Sequence, residues 1–370
     1  MKRIAYVVHS LNLGGAERLA ADMALALNQE FDIQVLCLDE PGLWAQTLRN
    51  KNIAVHCLYR QPGLDLRIPY LLAKFARQNK IDLWHAHQCT PWFYAGISRL
   101  LYFKPKLLFE EHGRHYPEQK NKKRSLINRI VLQPLSSDIV AVSRDIKQRL
   151  VDYEGLSAGK IKVVYNGTYL PQELSAEDRS SARKKLGIAD DDFLLGTVGR
   201  FDPIKNLPLA LNAFKNLQKE HKKLKLALIG DGPEYENIYQ LSKQMGLNGS
   251  VLMPGYQDDP QNWTALLDCF FLCSFSEGTS MALLGSMAAK VPAIVTDVGG
   301  NPELVQDGQT GWVIPSNDAR AFAQAIQDAV SNPDELHKRG QAAKKRFQSN
   351  FTFQNMLDTY RKLYSSLMFT

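Results

Sequence analysis

Short runs of apolar and β-branched residues alternate with longer amphipathic stretches along the whole chain. In the first half, buried strands are predicted for six runs: RIAYVV, DIQVLCL, DLWHAH, KLLFEE, DIVAVS and KIKVVYNG. Helices are predicted between them for stretches such as ERLAADMALAL and IPYLLAKFARQN. The series resumes in the second half with FLLGTVGR, LKLALIGDG, SVLMPGY, CFFLCSF, PAIVTDVGG and GWVIP. This alternation predicts parallel sheets that are covered by helices on both faces.

A polar stretch with proline and serine, TYLPQELSAEDRSS at residues 168–181, separates the two series. The chain has 370 residues, which is more than one ordinary core holds. We therefore predict two doubly wound α/β domains, residues 1–170 and 171–351, that face each other across a cleft. A terminal helix at 352–370 is expected to pack back on the first domain. Because such sheets bind ligands at the carboxyl ends of their strands, the cleft is the expected site.

Composition excludes several classes of protein. The chain is 45% hydrophobic and 22% charged, and its apolar runs have strand length, so no transmembrane helix is predicted. The start, MKRIAYVVHS, resembles a signal peptide only superficially, because its apolar run is too short. We expect a cytoplasmic protein in which the five cysteines are ordinary core thiols.

The chain is basic, with a net charge of +7. The densest basic cluster is KNKKR, from Lys120 to Arg124, and no nucleic-acid-binding motif accompanies it. Two interpretations stay open for this cluster: a solvated basic face and a contact with an anionic membrane surface. Nucleic acid is not an expected partner.

Two segments suit phosphate groups. Gly14 and Gly15 follow the first strand and would leave backbone N–H groups free at the start of a helix, although a simple turn fits equally well. In VGRFDPIKNL, Arg200 ends a strand and Lys205 lies just before a helix. A guanidinium fork and a mobile ammonium together suit a pyrophosphate, whereas ordinary surface charge is the alternative.

Other polar side chains also follow strands. Glu277, next to the loop GTS, can bind sugar hydroxyls, and a capping or exposed glutamate is the alternative. His112 follows KLLFEE and can hydrogen-bond a substrate or shuttle a proton. His85 and His87 alternate along a strand, so we expect them on opposite faces and predict no metal site.

Taken together, eight segments resemble glycosyltransferase family 4, the retaining GT-B enzymes that use nucleotide sugars. They cover nearly the whole chain in the order found in that family: GGAER (14–18), EHGRHYP (111–117), VAVSRDIKQRL (140–150), YNG (165–167), VGRFDPIKN (198–206), LIGDGPE (228–234), SEGTSMALL (276–284) and TDVGGNPELVQDGQTGWV (296–313).

The resemblance implies two Rossmann-like domains, the first binding mainly the acceptor and the second mainly the nucleotide sugar. It implies retaining transfer from a nucleotide sugar, with UDP-sugar the expected donor, to a glycan or lipid-linked acceptor in polysaccharide biosynthesis. It also implies that no cofactor or divalent metal is needed. With the basic cluster, it suggests a peripheral location on the inner face of the cytoplasmic membrane.

The resemblance further implies roles for individual residues. Glu277 and His112 would lie at the reacting centre, with Glu277 on the donor sugar. Arg200 and Lys205 would hold the diphosphate, helped by the turn at Gly14 and Gly15. The rest of the donor site would comprise Gly230, Tyr256, Thr279, Ser280, Met281, Leu284 and Gly285.

Gly285 departs from the family pattern, which usually has a second glutamate eight residues after the first. A glycine inside a helix costs about 1 kcal/mol relative to alanine. Either it permits a close backbone approach, or a carboxylate that binds ribose hydroxyls has been lost. We expect weaker donor binding with the fold intact. The alternatives are a non-catalytic nucleotide-sugar-binding protein or assembly partner and, less well matched, a nucleotide-sugar epimerase.

Overall fold

The computed structural model describes residues 1–12, 14–114 and 116–369, and it divides the chain into two compact units. Unit 1 comprises Met1–Asn166 and Gln354–Thr370, and unit 2 comprises Gly167–Phe353. The sequence places these changes after residue 170 and at residue 352. Each unit is a parallel α/β sheet with its own core, which confirms the prediction of two doubly wound domains.

Unit 1 contains a seven-stranded parallel sheet in the order β3-β2-β1-β4-β5-β6-β7. Its three central strands are buried apart from the first residue of β1 and of β5, because both faces are covered by helices. The strands are β1 Arg3–Val8, β2 Asp32–Cys37, β3 Ala54–Cys57, β4 Leu83–His87, β5 Lys106–Glu111, β6 Asp138–Ala141 and β7 Ile161–Val163.

The helices of unit 1 lie between these strands, apart from one that returns from the end of the chain. They are α1 Gly15–Leu27, α2 Trp44–Arg49, α3 Arg67–Asn79, α4 Cys89–Leu101, α5 Lys122–Ile127, α6 Gln133–Leu135, α7 Arg144–Glu154 and the terminal α16 Phe353–Met368. A π-helical segment at Asn128–Leu132 joins α5 to α6, and a 3₁₀ turn covers Ala158–Lys160.

Unit 2 contains a six-stranded parallel sheet in the order β10-β9-β8-β11-β12-β13. The strands are β8 Phe193–Val198, β9 Leu224–Ile229, β10 Val251–Gly255, β11 Cys269–Leu272, β12 Ala293–Thr296 and β13 Gly311–Ile314. Its helices are α8 Ala176–Lys185, α9 Leu207–Glu220, α10 Tyr235–Gln244, α11 Pro260–Leu266, α12 Met281–Ala288, α13 Asn301–Leu304, α14 Ala319–Ser331 and α15 Pro333–Asn350, with a 3₁₀ turn at Pro203–Lys205.

Two elements differ from the sequence-based prediction. The edge strand β3 was not predicted, because it is short and only one of its four residues is buried. The polar stretch 168–181, predicted as a break, contains the start of α8, which the Ser175 side chain caps by accepting from the Asp178 N–H at 3.0 Å.

Both sheets reverse their strand order at one point, between β1 and β4 in unit 1 and between β8 and β11 in unit 2. The carboxyl ends of strands at such a point are where open parallel sheets bind ligands. The loops after β8 and β11 carry the predicted residues Arg200, Lys205 and Glu277. Among the described residues, no helix is both long enough and apolar enough to span a bilayer.

Candidate functional site

In unit 2, a lysine and a glutamate meet at the carboxyl ends of β8 and β11. The Lys205 Nζ lies 2.6 Å from the Glu277 Oε1, and the Ser274 hydroxyl donates to the same oxygen at 2.6 Å. The Glu277 side chain is 8% exposed and the Lys205 side chain 27%. The sequence predicts both residues at this edge but not that they pair. A half-buried ion pair there can exchange its contacts for phosphate oxygens and sugar hydroxyls.

Hydrogen bonds hold the loop after β8 and the loop after β11 together. The Asp202 carboxylate caps the 3₁₀ turn by accepting from the Ile204 N–H at 3.2 Å. The Phe275 N–H donates to the Ile204 carbonyl at 2.8 Å, and the Cys273 thiol donates to the Lys205 carbonyl at 3.2 Å. Because the last two bonds join the loop after β8 to the loop after β11, they keep Lys205 and Glu277 close to each other.

Other predicted donor residues lie at neighbouring strand ends. Arg200 follows β8, and its side chain is exposed. Gly230 follows β9 with a φ of +140°, and a Cβ there would overlap the Gly199 carbonyl, so only glycine fits. The Gly230 N–H donates to the Gly255 carbonyl at 3.0 Å, which brings Gly230 close to Tyr256, a side chain that is 49% exposed.

The segment at the start of α12 contains the remaining predicted residues. Ser280 is the N-cap, and its hydroxyl accepts from the Leu283 N–H at 3.4 Å. Thr279 is buried, and Met281, the first residue of α12, is half-buried. Leu284 is fully buried, which indicates packing in the core rather than side-chain contact with a ligand.

Gly285 lies inside α12 and is buried. A Cβ added there would have no atom of the described residues within 4 Å outside the backbone of the helix itself. The structure of unit 2 therefore shows open space at Gly285 and not a close backbone approach.

In unit 1, Gly14 precedes α1 and Gly15 is its first residue, and both are exposed. A Cβ at Gly14 would overlap the Glu17 carboxylate, which folds over the turn. An anion that approached the start of α1 would therefore meet a carboxylate of the same chain. The predicted phosphate contact requires that Glu17 move aside.

His112 follows β5, and its side chain is only 4% exposed. The His112 Nε2 lies 2.9 Å from the His87 Nδ1, and the two rings are nearly parallel. The Glu110 Oε2 lies 2.9 Å from the His85 Nε2 and 3.5 Å from the His87 Nδ1. His115, in the predicted segment EHGRHYP, lies outside the described residues.

The prediction that His85 and His87 point to opposite faces is wrong. Residues two apart in a strand share a face, and the centroids of these two rings are 4.1 Å apart. Donor atoms of His85, His87 and Glu110 all lie within 4.8 Å of one another, close enough to bind one metal ion together. This geometry does not test the expectation that the reaction needs no metal, which stays a prediction.

Burial and charge determine how this cluster is protonated. Burial lowers the pKa of His85, and burial together with the nearby His85 places the pKa of His87 well below its usual value. Although burial alone raises the pKa of Glu110, the surrounding histidines, His112 first among them, bring it well below the ordinary range. At neutral pH the cluster therefore holds a carboxylate beside neutral His85 and His87.

The basic cluster continues into exposed apolar residues. Lys122 and Lys123 are exposed at the start of α5, whereas Arg124 pairs with the buried Glu154 at 2.8 Å. Beyond them on the same helix and its π-helical continuation, three apolar side chains are 57%, 48% and 62% exposed: Leu126, Ile127 and Ile130. We call residues 120–130 the basic–apolar segment.

Comparisons with known proteins agree with this architecture. The sequence model of glycosyl transferases group 1 matches residues 178–346, and that of Glycosyltransferase Family 4 matches residues 13–170. N-acetyl-alpha-D-glucosaminyl L-malate synthase from Bacillus anthracis is 28% identical over 320 residues, which cover 85% of this chain and 82% of that protein. UDP-Gal:alpha-D-GlcNAc-diphosphoundecaprenol alpha-1,3-galactosyltransferase from Escherichia coli is 25% identical over 378 residues, covering 99% and 97%.

Among solved structures, Anabaena HepE in complex with UDP superposes with a TM-score of 0.88. It is 22% identical, and the match covers 99% of this chain and 100% of that one. The likeness shows the fold and confirms the predicted GT-B class.

Proposed function

The chain belongs to glycosyltransferase family 4, and we propose that it moves a sugar, with retention of configuration, from a UDP-sugar to a glycan or lipid-linked acceptor. In that reaction the bond from the anomeric carbon to the diphosphate breaks, and a bond to the acceptor oxygen forms on the same face. The hydroxyl proton leaves with the diphosphate.

The observation that carries the proposal is the Lys205–Glu277 pair at the reversal point of the unit 2 sheet. Bound donor would place its diphosphate against Lys205 and the exposed Arg200, and its sugar hydroxyls against Glu277. Two cations near the leaving group stabilise the charge that develops as the glycosidic bond breaks. We propose on this basis that the reaction needs no divalent metal.

Uridine is the proposed base because HepE is solved with UDP and the E. coli relative is named for UDP-Gal. The E. coli relative is also named for a diphosphoundecaprenol-linked acceptor, whereas the B. anthracis relative is named for L-malate. The basic–apolar segment favours the lipid-linked class, because its lysines and exposed aliphatic side chains suit an anionic membrane surface.

The test is a transfer assay with a panel of UDP- and GDP-sugars and membrane-extracted acceptors, with the anomeric configuration of the product read by NMR. Wild type and Gly285→Glu are compared with Glu277→Gln, which keeps the side-chain shape and removes the charge. We expect transfer from a UDP-sugar with retention, and loss of transfer in Glu277→Gln.

A different outcome would support the alternative function. If wild type and Gly285→Glu bind UDP in calorimetry but neither transfers nor hydrolyses any donor, the chain is a non-catalytic nucleotide-sugar-binding protein. An inverted product would instead overturn the retaining mechanism while leaving the family intact.

A further inference from the structure

Gln88 is the first residue after β4, and its backbone has a conformation that side chains disfavour. Its φ is +75° and its ψ is +165°, a combination that is found almost only in glycine. Its N–H donates to the Glu110 carbonyl at 2.7 Å, and its carbonyl accepts from the Trp92 N–H at 3.1 Å. These two bonds join the end of β4 directly to the start of α4. The tight turn therefore imposes this conformation on the residue at position 88.

The side chain of Gln88 makes no bond that would offset this strain. Gln88 is the N-cap of α4, but its side chain forms no capping hydrogen bond. Among the described residues its carboxamide has no hydrogen-bond partner, although the residue is half-buried. Glycine would adopt the same conformation without strain, and asparagine or aspartate would cap the helix. The stability of the fold therefore does not explain a glutamine at this position.

The place of Gln88 in the sheet suggests another explanation. The residue lies where the strand order of unit 1 reverses, between β1 and β4. Open parallel sheets bind ligands at such a point, and strained residues cluster at ligand-binding sites. The equivalent point of unit 2 carries the Lys205–Glu277 pair. A ligand of unit 1 at its own reversal point would meet the Gln88 carboxamide.

The surroundings of Gln88 favour an uncharged ligand. A carboxamide offers an acceptor oxygen and two N–H donors, which match two neighbouring hydroxyl groups. Within three residues after β1, β4 and β5, the one lysine or arginine is Arg114. Its guanidinium lies 3.3 Å from Glu111 and also pairs with Glu118 and Glu154. A phosphate or carboxylate group would therefore find no free lysine or arginine in these three segments.

We propose that Gln88 is a specificity-determining residue whose carboxamide binds neighbouring hydroxyl groups of a neutral sugar in the acceptor. Hydrogen bonds to those hydroxyls offset the backbone strain once the sugar is bound. Because the turn fixes the backbone on both sides, the carboxamide starts from a defined position. This inference rests on the proposed function only in calling the sugar an acceptor.

The direct test is saturation-transfer difference NMR, which requires no turnover. The probes are the methyl glycosides of glucose, galactose and N-acetylglucosamine, with UDP present throughout, and the dicarboxylate L-malate is the anionic comparison. Gln88→Met keeps the length of the side chain and removes its hydrogen bonds. It should weaken binding of the best glycoside about 5- to 150-fold, the loss expected for two neutral hydrogen bonds.

Three results of this titration would overturn the proposal. The first is that none of the glycosides binds wild type. The second is equal binding of the best glycoside to wild type and Gln88→Met. The third is binding of L-malate that is lost in Gln88→Met, because the site would then recognise an anion.

Gln88→Gly separates ligand binding from stability, because it relieves the strain and also removes the carboxamide. It should slow hydrogen exchange in peptides from β4 and β5 at least about threefold, while weakening glycoside binding as much as Gln88→Met does. Lys80→Gly is the matched control, since Lys80 also has a positive φ, +53°, and lies just before β4. It should bind the glycoside like wild type. Faster exchange in Gln88→Gly, or an equal loss of binding in Lys80→Gly, would contradict the assigned role.

Transfer kinetics complete the test. With a UDP-sugar and membrane-extracted acceptor, Gln88→Met should raise the KM for the acceptor about 5- to 150-fold and leave the KM for the donor nearly unchanged. A rise in the donor KM alone would contradict the proposal. If no protein transfers a sugar but glycoside binding still depends on Gln88, the proposed function fails and the sugar site stands.

Discussion

At the scale of single residues, Gly285 is the position where the proposed donor segment departs from the family pattern. Gly285→Glu should tighten UDP binding about 10- to 150-fold, because a new charge-assisted hydrogen bond contributes about 1.5–3 kcal/mol. The Cβ has open space around it, so the fold should tolerate the change. Calorimetry with UDP measures the effect, and Gly285→Ala is the control, since it restores helix propensity without a carboxylate. Equal affinities of the two variants would contradict the prediction.

A second prediction concerns the Lys205–Glu277 ion pair. Lys205→Met should weaken UDP binding about 10- to 150-fold, because it removes the proposed charge-assisted contact to phosphate. It also leaves the Glu277 carboxylate, whose side chain is 8% exposed, without its cation. A double-mutant cycle with Glu277→Gln in calorimetry should therefore be non-additive. The exposed Lys219 in α9 provides the control Lys219→Met, which should bind UDP like wild type. Strict additivity would show that the pair does not act together.

At the scale of elements, α16 supplies hydroxyl groups to the buried histidine cluster. Tyr364→Phe should lower the free energy of unfolding of unit 1 by about 1–3 kcal/mol, because it leaves the His85 Nδ1 and the Tyr6 hydroxyl unsatisfied. Hydrogen exchange read by mass spectrometry on peptides from β4 and β5 reports this separately from unit 2. Ser365→Ala, at the adjacent exposed position, is the control and should change little. Faster exchange in both variants alike would mean that the hydroxyl contributes nothing.

Most strands of both units follow from the sequence, because parallel strands buried on both faces give continuous apolar runs. The edge strand β3 gives no such run, since most of its side chains are at least partly exposed. The positions of Arg200, Lys205 and Glu277 also follow, because residues after buried strands meet at one edge of a sheet.

The histidine cluster does not follow from local patterns alone. The two-residue period of a strand places His85 and His87 on one face, contrary to the prediction made from the sequence. The rest depends on contacts between β4, β5 and α16, and Tyr364 is 279 residues from His85 in the chain. No local pattern places such a hydroxyl beside that imidazole.

At the scale of the whole molecule, charge is divided unequally between the units. Unit 1 contains 26 lysines and arginines against 16 acidic residues, whereas unit 2 contains 19 against 22. The exposed aliphatic residues of the basic–apolar segment belong to unit 1. An anionic surface would therefore attract unit 1 and weakly repel unit 2.

Lys122→Glu/Lys123→Glu should weaken binding to vesicles with anionic lipid by at least tenfold, since each lysine near such a surface contributes about 1 kcal/mol. Arg124 is left intact because it pairs with the buried Glu154. Sedimentation with vesicles at several salt concentrations measures the change. The control is Lys219→Glu/Lys222→Glu, an equal charge change at exposed positions of unit 2. Binding that ignores both salt and the unit 1 variant would remove the electrostatic explanation.

Backbone hydrogen bonds join the segment where the chain enters unit 2 to the segment where it leaves. The Thr168 N–H donates to the Phe351 carbonyl at 3.2 Å, and the Phe353 N–H donates to the Thr168 carbonyl at 2.9 Å. Unit 2, the proposed donor-binding half, is thus one continuous segment of the chain whose two ends are hydrogen-bonded to each other. Unit 1 is instead formed from two separate segments. Replacing unit 2 by recombination therefore needs one exchanged segment, and it could change the donor sugar while leaving the acceptor unchanged. Replacing unit 1, and with it the acceptor, would need two coordinated exchanges.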